Sequence, residues 1–195
     1  MKLPETFYQR RNVVTIAREL LGKQIVTKIN DQVTGGIIVE TEAYSWKEKG
    51  CHAFGARKTN RNAVMFDAGG CAYVYLCYGM YNLFNVVTNA EGVAEAVLIR
   101  AVQPLIGIEV MRTRRGSVKD IQLTSGPGKL TQALGIDRKQ NGMWLGGSEL
   151  WIEQGAVVAK SKIVATTRIG IDYAGEDAEL PWRFYLRDNI WVSKK

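Results

Sequence analysis

Histidine and cysteine are scarce in this chain of 195 residues. It contains one histidine, His52, and three cysteines, Cys51, Cys71 and Cys77, which form no Cys-x-x-Cys arrangement. Zinc sites use several such ligands at short spacings, so the sequence predicts no metal site and gives no sign of a cofactor. Three cysteines also make a poor disulfide framework, and we expect reduced, structural thiols.

Long apolar runs are absent as well. The charge-free window 71–90 contains three asparagines and four tyrosines, which is unsuited to a bilayer core. The first residues, Met1-Lys2-Leu3-Pro4-Glu5, are not followed by the apolar segment of a signal peptide. We therefore expect a cytoplasmic protein with no membrane partner.

Positive charge is in excess and is clustered. Lysine and arginine number 26 against 19 acidic residues, which gives a net charge of +7. Segment 100–139 holds eight basic and three acidic residues, and a second cluster contains Arg57, Lys58 and Arg61. Such clustering fits a polyanionic partner, with nucleic acid favoured over a membrane surface, although small basic proteins without such a partner also exist.

The pattern of elements favours a mixed fold in one domain, residues 1–195. There are no repeats and no Pro/Ser-rich linker. Helices are predicted at 12–22, 106–115 and 127–134. Strands are predicted at 25–29, 36–44, 71–77, 83–88, 94–102, 150–152, 163–167 and 184–186. The order of these elements is not a regular βαβ alternation, so it predicts an α+β domain with a curved, largely antiparallel sheet surrounded by short helices.

The segment Ile37–Tyr44 carries two acids within a strong strand-forming sequence. Strict alternation would put Ile38, Glu40, Glu42 and Tyr44 on one face of the strand and Ile37, Val39, Thr41 and Ala43 on the other. Two carboxylates on one strand are unfavourable unless that face is wet or catalytic. The alternative is a solvent-facing acid beside a surface ion pair.

Arg100 lies within the apolar run 96–102. An unpaired buried guanidinium is strongly unfavourable, so a carboxylate from another strand is expected to pair with it, and Glu40 or Glu42 could do so. Such a pair would keep the acid ionised, as a general base requires. A purely structural ion pair is the other interpretation.

Aromatic and amide side chains occur in the charge-free window. Tyr73 and Tyr75 alternate onto one strand face, and Tyr78 follows, which suits stacking of bases but also ordinary packing. Asn85 lies in an otherwise apolar strand and needs hydrogen-bond partners from the protein or a ligand. Segment 126–129 (GPGK) fails the phosphate-loop pattern, although a helix N-terminus there could hold one phosphate.

Taken in order, the segments of this chain resemble the alkyladenine (3-methyladenine) DNA glycosylases of the mammalian type. The segments that carry the resemblance cover nearly the whole chain: 17–23 (ARELLGK), 35–44 (GGIIVETEAY), His52, 57–66 (RKTNRNAVMF), 73–87 (YVYLCYGMYNLFNVV), 96–107 (AVLIRAVQPLIG), 125–136 (SGPGKLTQALGI), 168–176 (RIGIDYAGE) and 181–193 (PWRFYLRDNIWVS).

The resemblance implies a base-excision repair enzyme acting on double-stranded DNA that contains damaged purines. Such an enzyme flips the nucleotide out of the duplex and hydrolyses its N-glycosidic bond, without a lyase step, and we expect it to act as a monomer in the cytosol, or in the nucleus if the source is eukaryotic. The implied catalytic group comprises Glu42, which activates water, together with Arg100 and the main chain of Ile169.

The resemblance assigns further roles to matching positions. Tyr44, His52 and Tyr75 would sandwich the flipped base, Asn85 would discriminate between purines, and Tyr78 with Met80 would enter the gap left in the duplex. With the charge clusters, it suggests DNA backbone contacts at Arg57, Lys58, Arg61 and Lys129.

Two alternatives remain open from the sequence. A non-catalytic nucleic-acid-binding module would have the same basic surface and aromatic residues but no chemistry. A carbohydrate-acting glycosidase would use Glu40 and Glu42 as an acid–base couple and would not need the cationic clusters.

Overall fold

An antiparallel sheet of eight strands organises the protein in this computed structural model, which describes residues 1–195. The strands are β1 (Gln24–Ile29), β2 (Gln32–Ser45), β3 (Ala72–Cys77), β4 (Tyr81–Thr88), β5 (Glu95–Ile106), β6 (Leu150–Glu153), β7 (Ile163–Thr166) and β8 (Arg183–Leu186). The helices are α1 (Glu5–Tyr8), α2 (Val13–Leu20), α3 (Ile108–Arg115) and α4 (Pro127–Leu134), joined by six short 3₁₀ segments.

Strand β2 is the centre of the sheet. Six strands follow the order β3-β4-β5-β2-β1-β6, and β8 also pairs with β2 while β7 pairs with β8. Helices α2 and α4 pack their apolar sides on the sheet, and the main hydrophobic core lies between them and the strands. The predicted α+β class with an antiparallel sheet and short helices is confirmed.

Helix boundaries follow local sequence signals. The Asn12 side chain accepts a hydrogen bond from the amide of Thr15 at the start of α2. Pro127 stands in the first turn of α4, and Gly135, with φ of 74°, ends it. The helix predicted to begin at residue 106 starts at Ile108 instead, because β5 continues through Pro104 to Ile106.

Three register shifts interrupt the pairing of β2 with β5, and two of them flank Glu40. Ile38 faces Val102 and Glu40 faces Ala101, so Val39 is an extra residue on β2. Thr41 then faces Ile99, so Arg100 is an extra residue on β5. Such bulges reorient side chains and are common beside active sites.

These bulges make the predicted strict alternation of β2 wrong at Ile38. Ile38 packs in the main core with Ala43, and the Thr41 hydroxyl donates to the carbonyl of Ala17 in α2. Val39 instead packs against Val192, on the side where Glu40 accepts a hydrogen bond from the neighbouring amide of Ser193. The carboxylates therefore do not share a face with Ile38.

None of the helices has the length and apolar character needed to cross a bilayer.

Candidate active site

A cleft of about 730 Å³ opens at the edge of the sheet between the β3–β4 hairpin, the start of α4 and the segment 169–173. Most of the site residues proposed from the sequence line it: Tyr44, His52, Arg61, Tyr75, Tyr78, Asn85, Arg100, Lys129 and Ile169. Residues far apart in the chain are thus brought to one concave surface.

Glu42 lies beneath this cleft and is fully buried. Its Oε1 accepts a hydrogen bond from the amide of Ile169 at 2.8 Å. Its Oε2 accepts from the Tyr44 hydroxyl at 2.7 Å and from Nη1 of Arg100 at 3.2 Å. These donors fix the carboxylate immediately behind three groups that do line the cleft.

Arg100 pairs with both candidate acids. Its Nε lies 3.2 Å from Oε1 of Glu40, while its Nη1 contacts Glu42. Glu40 also accepts from Arg183 at 2.9 Å and from the amide of Ser193 at 2.7 Å. The expectation that Arg100 needs a carboxylate is confirmed twice. Neither carboxylate lines the cleft, but all three groups that bond Glu42 do.

Tyr44 links the aromatic wall to the carboxylate. Burial, followed by the negative charge of Glu42, raises the pKa of its phenol well above the ordinary value. The hydroxyl therefore stays protonated at neutral pH and donates a hydrogen bond to Glu42.

A cluster of three aromatic rings forms another wall. The ring centroids of His52 and Tyr75 are 4.6 Å apart, and Nδ1 of His52 lies 2.9 Å from the Tyr73 hydroxyl. Burial, and to a smaller extent the charge of Arg61, lowers the pKa of His52 to about 4. The imidazole, which keeps an exposed edge, is therefore neutral at physiological pH.

Asn85 presents a fixed amide to the cleft. Its Nδ2 donates to the carbonyl of Tyr73 at 3.1 Å, and the residue is only 4% exposed. This bond orients the side chain, so a ligand would meet a defined pattern of donors and acceptors.

The tip of the β3–β4 hairpin projects two large side chains into solvent. Tyr78 is 85% and Met80 69% exposed. Tyr78 also has a φ of 51°, in the left-handed region that is unfavourable for a bulky residue. Exposed apolar side chains on a strained turn are typical of a functional contact.

The proposed phosphate-binding cations are divided by the structure. Arg61 and Lys129 line the cleft, whereas Arg57 and Lys58 lie outside its lining. Arg61 stacks over the ring of Tyr75 at 5.3 Å, and Lys58 lies 5.4 Å from the ring centre of Phe66.

Several site residues were missed by the sequence reasoning. Arg115 lines the cleft, and Arg183 completes the surroundings of Glu40. Glu48 and Arg168 form a buried ion pair behind Tyr44. Glu48, Arg168 and Arg183 gave no local signal, since the acid or base that each one pairs with lies more than a hundred residues away. No cluster of three or more potential metal ligands occurs in the structure.

Comparison with known proteins identifies the chain. A family described as methylpurine-DNA glycosylase matches residues 6–190. A "Putative 3-methyladenine DNA glycosylase" of Carboxydothermus hydrogenoformans is 53% identical over the full length of both chains. One of the same name from Chlamydia felis is 47% identical over 99% of each chain. A "Probable DNA-3-methyladenine glycosylase" of Encephalitozoon cuniculi is 48% identical over 91% of this chain and 86% of its own.

These matches define the class of protein as a DNA glycosylase, a hydrolase of base-excision repair. The chain belongs to the methylpurine-DNA glycosylase family. The resemblance drawn from the sequence is thereby confirmed at the level of the family.

Proposed function

We propose that this protein flips a damaged purine nucleotide out of duplex DNA and hydrolyses its N-glycosidic bond with a water activated by Glu42. The observation that carries the proposal is the position of Glu42, held by Arg100, Tyr44 and the Ile169 amide directly behind an aromatic cleft. The names of the relatives indicate 3-methyladenine as one substrate.

The cleft suits a flat, extruded base. Tyr44, His52 and Tyr75 offer ring surfaces for stacking, and a neutral His52 places no positive charge against a cationic alkylated purine. Asn85 supplies the polar group that would screen exocyclic substituents. Tyr78 and Met80 would fill the gap left in the duplex, offsetting part of the few kcal/mol that flipping costs.

Glu42 has the free acceptor that a general base needs. Its Oε1 receives only the Ile169 amide, which leaves a lone pair for a water molecule, and the carbonyl of Ile169 could hold the same water. The water oxygen bonds to C1′ while the C1′–N9 electron pair leaves with the base, and the proton passes to Glu42. The negative carboxylate stabilises the oxocarbenium-like sugar in between.

The charge of the damaged base determines whether it must be protonated as it leaves. A cationic base such as 3-methyladenine departs as a neutral molecule. Neutral hypoxanthine must gain a proton as it leaves. Because water is the nucleophile, the product is an abasic site in an uncut strand. Lys129 is the one lysine in the cleft lining, and we assign it to a phosphate contact and not to the role of a nucleophile.

The structure argues against a glycosidase that uses Glu40 and Glu42 as an acid–base couple. Both acids are fully buried and each accepts three hydrogen bonds. Of the donors to Glu40, only Arg100 lines the cleft, while Arg183 and Ser193 do not. All three donors to Glu42 line it, so Glu42 is the acid that the cleft residues hold.

The decisive experiment measures release of hypoxanthine from a lesion-bearing duplex by wild-type protein and by Glu42→Gln. We expect the wild type to release the base and to leave the product strand uncut. Glu42→Gln should still bind DNA but release the base at least about a thousandfold more slowly. Glu95→Gln is the matched control, a buried acid on β5 that bonds Ser45 and Asn89 away from the cleft. It should release base at the wild-type rate per folded molecule.

Two outcomes would contradict the proposal. Full activity of Glu42→Gln would remove that residue from the mechanism. Absence of base release by the wild-type protein across a panel of alkylated and deaminated purines would favour a DNA-binding role without chemistry.

A further inference from the structure

A buried ion pair behind the cleft has no part in the proposed chemistry. Arg168 and Glu48 form two parallel bonds, Nη1 to Oε1 at 2.7 Å and Nη2 to Oε2 at 2.8 Å, and both residues are at most 5% exposed. Buried pairs are often no more stabilising than apolar packing, so stability alone does not explain this one.

The arginine side of the pair reaches the strand that carries the catalytic acid. Nη1 of Arg168 also donates to the carbonyl of Ala43 at 3.0 Å, between Glu42 and Tyr44 in the chain. Its guanidinium lies 4.8 Å from the centre of the Tyr44 ring. The next residue, Ile169, supplies the amide that binds Glu42.

The glutamate side holds the loop that carries the histidine. Oε2 of Glu48 accepts a hydrogen bond from the amide of Gly50 at 2.7 Å, and the main-chain carbonyl of Glu48 accepts one from the amide of Cys51 at 3.1 Å. His52 is the next residue. A side chain at Gly50 would place its Cβ 2.9 Å from Oε2 of Glu48, so glycine permits this close approach.

We propose that Arg168 and Glu48 are positioning residues that fix Tyr44, the Ile169 amide and the His52 loop relative to Glu42. The inference rests on the proposed function, in which those three elements hold the base and the carboxylate. One bidentate pair spans all three, so loss of its geometry would loosen the stacking walls and the general base together.

The test measures single-turnover release of hypoxanthine from a duplex at saturating enzyme, corrected for the folded fraction. Arg168→Lys keeps the charge but loses the planar fork, and Glu48→Gln keeps the shape but loses one acceptor. We expect each to lower the rate constant about tenfold or more, with affinity for undamaged duplex changed by less than about twofold. The double variant should be no slower than the slower single variant, because the pair acts as a unit.

A matched control is Arg112→Lys, which alters an exposed arginine paired with Glu109 and Asp120 outside the cleft. It should release base at the wild-type rate. Should Arg168→Lys and Glu48→Gln fail to fold, Gly50→Ala displaces Glu48 without removing a charge and should show the same loss of rate.

The outcomes separate this inference from the proposed function. Wild-type rates per folded molecule in Arg168→Lys and Glu48→Gln, alongside an inactive Glu42→Gln, would overturn the positioning role alone. If the wild type releases no base, the imidazole resonance of His52 still tests the pair. It should shift in Arg168→Lys and not in Arg112→Lys, and an unchanged resonance would overturn the inference.

Discussion

At the scale of single residues, two identical side chains on one strand have been given different environments. Of the three donors to Glu40 only Arg100 lines the cleft, whereas all three donors to Glu42 line it. The sequence could identify both as unusual, because acids in a strand-forming segment require partners. The residue pattern could not tell them apart, because Arg183 and Ser193 approach from the opposite end of the chain, and only the family resemblance singled out Glu42.

The single histidine provides a direct measurement of the cleft's environment. Burial and Arg61 lower the pKa of His52 from an ordinary 6.5 to about 4. Its imidazole should therefore give one NMR signal that shifts only well below pH 6. The unfolded chain binds this proton more readily, so the residue's contribution to stability should be present above pH 6.5 and lost as the pH falls toward 4.

Substitution at Arg61 tests the cause of this shift. Arg61→Gln removes the positive charge and should move the midpoint partway back toward 6.5, because the burial remains. Arg112→Gln, which alters a remote exposed arginine, should leave it unchanged. A midpoint near 6.5 in the wild-type protein would contradict the desolvated, neutral imidazole on which the stacking proposal depends.

At the scale of elements, the strands and helices were largely predictable, and their irregularities were not. The sequence predicted all eight strands and the three longer helices to within a few residues. A helix was predicted from residue 106, shortly after Pro104, yet β5 continues through Pro104 to Ile106. Pro104 lies opposite Gly36, where any Cβ would meet the carbonyl of Gln103 at 2.1 Å. The bulges at Val39 and Arg100 depend on the pairing of two strands and leave no mark in either alone.

The β3–β4 hairpin shows how an element can be strained for function. Tyr78 adopts φ of 51° at the tip, and a left-handed conformation costs an ordinary residue about 1 kcal/mol. Tyr78→Asn should therefore raise the free energy of unfolding by up to about 1 kcal/mol, since asparagine tolerates this conformation. The same change should slow base release about tenfold, equivalent to the loss of one stacking contact.

Gly79, the next residue, provides a control in which the substitution should lower stability instead of raising it. Gly79 has φ of 70°, and a Cβ at this position would have no atoms within 4 Å, so Gly79→Ala adds strain without a clash. It should lower the free energy of unfolding by about 1 kcal/mol in urea denaturation. A Tyr78→Asn variant that is both less stable and fully active would show that the turn is neither strained nor used as a wedge.

At the scale of the whole molecule, the charge distribution matches the position of the cleft. The net charge is +7, and besides Arg100, which pairs with Glu40 and Glu42, three cations line the cleft around the aromatic walls: Arg61, Arg115 and Lys129. Composition alone indicated a polyanionic partner but could not say which cations face it. The fold supplies that information by placing the start of α4 beside the hairpin and leaving Arg57 and Lys58 outside the cleft lining.

The dependence of DNA affinity on salt tests this distribution. Each phosphate neutralised by a lysine or arginine contributes about −0.9 to the slope of log affinity against log salt. Lys129→Gln should therefore reduce the magnitude of the slope by about one and weaken binding equally to damaged and undamaged duplexes, because a phosphate contact carries no base information. Arg112→Gln, outside the cleft, is the matched loss of one charge and should leave the slope unchanged. Equal reductions in both variants would mean that net charge, and not the geometry of the cleft, determines DNA binding.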